Sequence, residues 1–146
     1  MMNNTFYNEI LTDHNLHPAH KKKLEDANLV LEGVNPSCGD DIILELKEEN
    51  GVITDGAFVG SGCAISQASV DMMLELIIGK TKKEALQLAD LFSRMIKGEA
   101  KGDELEPLEE AMSLADISKM PARVKCAVFG WHTMEELLEK EAEKNL

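Results

Sequence analysis

Three cysteines, Cys38, Cys63 and Cys126, together with Asp40 two residues after the first of them, are the groups in this sequence best suited to chemistry. Thiolate sulfur and carboxylate oxygen are both accepted by Zn²⁺, and three of one with one of the other make a tetrahedral set. The cysteines lie 25 and 63 residues apart and no CxxC pair is present, so the spacing of a structural zinc module is absent. Such a site has to be gathered from three distant elements and forms only after the chain folds, which favours a functional metal over a zinc-dependent minidomain. The same spacing admits a plainer alternative, in which the three cysteines are small buried hydrophobes. Their number is odd, and a reducing compartment would leave all three as thiols.

Each cysteine falls at a junction between elements. Cys38 sits in Asn35-Pro36-Ser37-Cys38-Gly39-Asp40, where Pro and Gly set a sharp turn between two strands. Cys63 follows Gly60-Ser61-Gly62 at the entry to a long helix, where unpaired amides and the helix dipole favour a thiolate. Cys126 belongs to the first turns of the last helix, beside Arg123 and Lys125. Arg123 is compatible with two roles, holding the negative charge of the site or standing in solvent.

The elements that must position these groups are legible from periodicity. Phe6, Tyr7, Ile10 and Leu11 recur at helical spacing over Thr5 to Asp13, with Thr5 as N-cap and a break in His14 to His20 around Pro18. Alternation of apolar residues then predicts strands near 29 to 34, 41 to 48 and 52 to 59, with Glu49-Asn50-Gly51 as a hairpin turn. Spacing of three and four returns in Ile65, Ala68, Met72, Met73 and Leu76, and again in Ala85, Leu88, Ala89, Phe92 and Ile96. Gly79 and Gly98 are helix stops, and Thr81 with Glu84 is a capping-box pattern. Gly98 to Glu104 reads as a loop, Pro107 as the start of a short helix to about Leu114, and Pro121 as the start of the last helix. The expected architecture is α+β, a small antiparallel three-stranded sheet with helices packed on one face.

Size and charge narrow the function. Residues 1–146 suit a single domain that buries roughly 70% of its unfolded surface. With 15 basic and 27 acidic residues, the formal net charge of −12 provides no surplus to neutralise phosphates, so nucleic acid is not an expected partner. Apolar runs such as Ile42 to Leu44 and Ala127 to Phe129 fall far short of the roughly 20 residues of a membrane span. No basic flank and apolar stretch opens the chain, and a cytoplasmic location is expected. The eight methionines and Trp131 are read as core, and His14, His17, His20 and His132 as surface or packing residues.

The segments 35–40, Gly60-Ser61-Gly62-Cys63-Ala64-Ile65-Ser66 and Pro121-Ala122-Arg123-Val124-Lys125-Cys126 resemble the three cysteine signatures of the IscU/NifU-N family of iron-sulfur cluster assembly. Tyr7, Ile10, Leu11, Asp13, His14 and Pro18 are similar to its opening helix. The scaffold branch of the family carries a histidine before the third cysteine and a short connection ahead of it. Here Lys125 stands there and the connection holds an additional helical stretch of about 80–118, both of which resemble the SufU branch. That resemblance implies zinc held by Cys38, Asp40, Cys63 and Cys126, and a SufS-type cysteine desulfurase as partner. It also implies Cys38 as the catalytic thiol that accepts persulfide sulfur, for passage to downstream iron-sulfur assembly proteins. The alternative it implies is a scaffold holding an iron-sulfur cluster of the [2Fe-2S] type on the same ligands.

Overall fold

The computed structural model describes residues 2–36 and 39–144, with the side chains of 2–8 and 141–144 outside the description. Its order is α1 (Met2–Leu16), β1 (Leu29–Asn35), β2 (Asp40–Glu49), β3 (Val52–Ser61), α2 (Ala64–Ile77), α3 (Lys82–Ile96), a 3₁₀ segment (Gly102–Lys119) and α4 (Pro121–Lys144). The strands form one antiparallel sheet in the order β1-β2-β3. The fold is therefore α+β, as the alternation and helical spacing predict. No helix among the described residues is long and apolar enough to cross a membrane.

The sheet is a meander because each turn suits its residues. Asn50 and Gly51 both take positive φ, 54° and 84°, which is the requirement of a type I′ hairpin. Leu44 faces Phe58 and Leu46 faces Gly56 across β2 and β3, and the inward residues Ile42, Leu44, Leu46 and Phe58 are all essentially without solvent exposure. Against this face lie α2 and α4, whose Ala68, Met72, Met73, Trp131 and Met134 complete the core. Phe92 of α3 stacks on Trp131 with ring centroids 4.4 Å apart and planes 9° apart. The indole N–H of Trp131 donates to Ser69 Oγ at 3.1 Å, and that hydroxyl donates to the carbonyl of Ala127 at 2.6 Å.

Three expectations are corrected. The first helix begins at Met2, so Thr5 lies inside it and is not its N-cap, and it continues through His14 to Leu16. It ends just ahead of Pro18, which disfavours a helical residue before it. Pro107 does not open a helix but lies within the 3₁₀ segment, which starts at Gly102, inside the expected loop, and is interrupted at Glu109 (φ 49°, ψ −125°). The reason is a period of three: Leu105, Leu108, Ala111, Leu114 and Ile117 are buried, one per turn of a 3₁₀ helix. The stops at Gly79 and Gly98 hold, as does the Thr81/Glu84 capping box.

A buried ion pair ties α1 to the rest. His14 Nδ1 donates to Asp71 Oδ2 of α2 at 2.6 Å, and Nε2 faces Glu110 Oε1 of the 3₁₀ segment at 3.2 Å. Asp71 also accepts the backbone N–H of His20 at 2.9 Å, fixing the turn after α1. The hydrogen bond to the Asp71 carboxylate favours the protonated imidazole, raising its pKa to about 9 against the opposing effect of burial.

Two measurements follow. A group whose folded pKa is raised stabilises fully below its unfolded value near 6.5, and that contribution is lost as pH rises through about 9. Denaturant unfolding at pH 6 and pH 9.5 is expected to give a wild-type loss at most on the order of 3 kcal/mol larger than that of His14→Gln; parallel losses would remove the ion pair as the cause. A Cβ on Gly130 of α4 would overlap Val70 Cγ2 of α2. Gly130→Ala is thus expected to destabilise by about 1–3 kcal/mol despite the better helix propensity of Ala, with Val70→Ala restoring part of the loss in the double variant.

Candidate metal centre

At one end of the sheet, Asp40, Cys63 and Cys126 come together, with one potential ligand atom from each within 4.8 Å of the others. Asp40 opens β2 and pairs with Asn35 of β1, so the connection containing residue 38 leaves and re-enters the sheet beside it. Cys63 is the N-cap of α2, its φ and ψ of −74° and 167° being extended rather than helical. Its sulfur accepts the backbone N–H of Ser66 at 3.4 Å, where a serine or aspartate oxygen ordinarily caps a helix. Cys126 lies in the second turn of α4, only 4% exposed and part of the apolar core. The expectation that each cysteine falls at a junction between elements is thus corrected for Cys126, which lies inside α4, packs as a core residue and reaches the cluster from the same position.

Asp40 is fully buried. Its Oδ1 accepts the backbone N–H of Cys63 at 3.0 Å and the hydroxyl of Ser66 at 2.9 Å. Among the described residues its Oδ2 has no hydrogen-bond partner. A buried carboxylate with one satisfied oxygen and one bare oxygen is costly unless a cation takes the second, so the donor set suits a metal ion on its sulfur and oxygen chemistry. The approach is tight: a Cβ on Gly62 would stand 2.5 Å from Asp40 Oδ1 and 2.8 Å from Ser66 Oγ, so Gly at 62 is what lets the link from β3 to α2 pass this close.

Among the sequence-predicted site residues, Asp40, Cys63 and Cys126 are brought together and Cys38 lies outside the described residues. Arg123 and Lys125 are exposed on the first turns of α4. His17, His20 and His132 stand outside the cluster, as does His14, which is engaged by Asp71 and Glu110. Two supporting residues were not foreseen from the sequence. Ser66 carries the hydrogen bond to Asp40, and its signal was its place three residues after an N-cap. Gln67 Nε2 donates to the Gly62 carbonyl at 2.8 Å and braces the Gly-Ser-Gly approach.

Comparison with known proteins agrees with this arrangement. The family model for the NifU-like N-terminal domain matches residues 6–134. The chain is 41% identical over 139 residues to the iron-sulfur cluster assembly scaffold protein IscU of Streptococcus pyogenes serotype M1, covering 95% of this chain and 86% of that protein. It is 38% identical over 137 residues to the zinc-dependent sulfurtransferase SufU of Bacillus subtilis, covering 94% and 92%. The crystal structure of FiSufU from Fervidobacterium islandicum AW-1 superposes with a TM-score of 0.83 at 38% identity, covering 89% of this chain and 94% of that one. A match over most of the chain, with relatives above 30% identity along nearly its full length, places it by family: the chain belongs to the IscU/NifU-N family, whose model is the NifU-like N-terminal domain.

Proposed function

We propose that this protein is a zinc-dependent sulfur acceptor that takes persulfide sulfur from a SufS-type cysteine desulfurase for iron-sulfur cluster assembly. The observation that carries the reading is the Asp40, Cys63, Cys126 cluster with its bare buried oxygen. Cys38, two residues from Asp40 along the chain, would supply the fourth ligand. Zinc bound by these four residues would keep its thiols deprotonated at neutral pH.

The chain's own residues divide the work. Cys63 caps α2, Cys126 lies within α4 and Asp40 opens a strand, so these three form the fixed part of the set. Cys38 belongs to a connection between strands, the kind of segment that carries reacting groups on a rigid scaffold. In the transfer step, the Cys38 thiolate attacks the outer sulfur of the desulfurase persulfide. The sulfur-sulfur bond of that persulfide breaks, its electron pair leaves with the desulfurase thiolate, and a new sulfur-sulfur bond forms on Cys38. One bond is exchanged for another, with no net oxidation. Ser66 holds the Asp40 carboxylate in place through Oδ1, leaving Oδ2 for the metal.

A specific feature favours sulfur transfer over a scaffold holding a [2Fe-2S] cluster. Lys125 precedes Cys126 and is exposed, and no histidine among the described residues joins the cluster. The donor set is therefore limited to sulfur and carboxylate oxygen, as in the zinc branch of the family.

Incubation of the zinc-loaded chain with a SufS-type desulfurase and cysteine, followed by peptide mass spectrometry, is expected to place one added sulfur on Cys38 and to raise desulfurase turnover. Cys38→Ser is expected to stay folded, carry no sulfur and leave turnover at its basal rate. Absence of added sulfur together with unchanged turnover would hand the site to the scaffold reading. Ser66→Ala is expected to weaken zinc by roughly 10–100-fold, the usual effect of removing a partner that orients a metal ligand, as read by competition with a chromogenic chelator. Unchanged affinity would refute that role for Ser66.

A further inference from the structure

The two edges of the sheet are treated differently. Along β3, Phe58 donates its backbone N–H to the His20 carbonyl at 2.9 Å, Ile53 donates to Lys80 at 2.8 Å, and Gly79 donates to the Ile53 carbonyl at 2.6 Å. Bridges from Lys21 to Phe58 and from Thr81 to Val52 complete this cover. Among the described residues the only strand partner of β1 is β2, and no backbone hydrogen bond reaches its other edge. In an antiparallel pair alternate residues turn their N–H and C=O away from the partner, so about half of the seven residues of β1 present open donors and acceptors, the arrangement that templates a further strand.

That edge is one wall of a groove of about 410 Å³. Residues 32–35 of β1 line it without a gap, so it runs along the strand's edge rather than over one face. The opposite wall is a single stripe of α4 made by Lys125, Val128, Phe129, His132, Thr133 and Glu136. From Lys125 to Glu136 the helix advances about 16 Å, the length of about five residues of extended chain. An open strand edge facing a helix with an apolar floor is the geometry by which domains capture peptides through strand addition.

The outward face of β1 presents Val30, Glu32 and Val34, of which Val30 and Val34 are 52% and 58% exposed. Glu32 lies within hydrogen-bonding reach of Asp41 on the neighbouring strand, and that contact pushes the Glu32 carboxyl up from the usual range. Two carboxyls side by side between two valines are complementary to a cation between two apolar residues. The same pair disfavours a second copy of this chain, because antiparallel pairing about Glu32 would set like charges opposite each other.

We propose that the groove between β1 and α4 is a docking site for an extended partner segment that adds a strand to β1. Its outward residues read apolar, Lys or Arg, apolar, and its intervening small residues rest on Val128 and Phe129. The groove starts beside the metal centre, since Asn35 pairs with Asp40 and Lys125 adjoins Cys126. A segment seated there holds its owner next to the cluster, whatever chemistry the cluster performs.

The test is amide-shift mapping of the zinc-loaded full chain with the blocked peptide Gly-Ser-Val-Thr-Lys-Ala-Val-Ser-Gly. Shifts confined to residues 29–35 and 125–136 are expected. Replacing the peptide's Lys by Glu is expected to weaken binding at least tenfold, and Glu32→Lys to reverse that preference, while Glu99→Lys, the same charge change at an exposed site elsewhere, retains it. Two further peptides are N-methylated, one on both Val and the Lys, the other on Thr and Ala. Strand pairing uses the N–H groups of only one set, so one copy is expected to lose binding and the other to keep it. Equal behaviour of the two copies, or shifts that map elsewhere, would overturn the proposal. A dimer of the chain alone with its interface on residues 29–35 would overturn it in favour of a second copy.

Discussion

The structure turns on a carboxylate that is buried but half satisfied. Asp40 is shut off from solvent, and the described residues supply hydrogen bonds to one of its oxygens only. Both come from the first turn of α2, so the bonds that hold the side chain also fasten the sheet to the helix that follows it. Taking a charge out of water without full compensation opposes folding, and the arrangement persists because the rest of the domain is well packed. Cys63 adds to the same economy of parts: the thiol that caps α2 is also one of the groups facing Asp40. A single junction thus serves as helix cap, sheet anchor and ligand set.

What keeps that junction in place lies away from it. Cys126 is positioned by α4, and α4 is seated on α2 through Gly130 against Val70 and through the Trp131, Ser69 and Ala127 chain of hydrogen bonds. The ring stack of Phe92 on Trp131 ties α3 to the same point. On the other side, Asp71 of α2 gathers His14 and the turn at His20, so α1 and the segment leading to the sheet are fixed to the helix that Cys63 caps. Two of the three described candidate ligands therefore sit on helices locked together by interior contacts, and the third on a central strand paired on both sides. The cluster inherits the stiffness of the core.

Legibility in the sequence followed how local each cause was. Strand limits, the Asn50-Gly51 hairpin and the Thr81 capping box depend on residues within a few positions of each other, and periodicity and turn chemistry found them. The 3₁₀ segment differs from the expected short helix because Pro107 suits the start of an α-helix, whereas the apolar residues from Leu105 onward recur every three positions. The strict period of three only becomes decisive when Leu114 and Ile117 are counted with Leu105, Leu108 and Ala111. The extent of α1 and the partner of His14 were hidden for a different reason. Asp71 is 57 residues away and lies in the middle of an apolar helix, where nothing nearby marks it as the terminus of an ion pair. The candidate centre was legible as a set of residue types at junctions, but Ser66 was not, because a hydrogen bond to a ligand leaves no periodic trace.

The edge of the sheet and the metal centre share one origin, which is the β1-β2 hairpin. Placing β2 in the middle gives Asp40 neighbours on both sides and leaves β1 outermost. Since β3 is covered by the segments at 20–21 and 79–81, the open edge can only be the one that leads into the connection with residue 38. Open edges invite unwanted association, and Glu32 with Asp41 is a defence against pairing with like-charged neighbours. The defence is selective rather than absolute, because carboxyls that repel an acidic strand attract a basic one. In a chain with a formal net charge of −12, most copies of itself are repelled at any approach. A strand edge guarded by acid, on an acidic molecule, thereby disfavours pairing with its own kind and favours partners of opposite charge, at the end of the sheet where the sulfur and carboxylate groups converge.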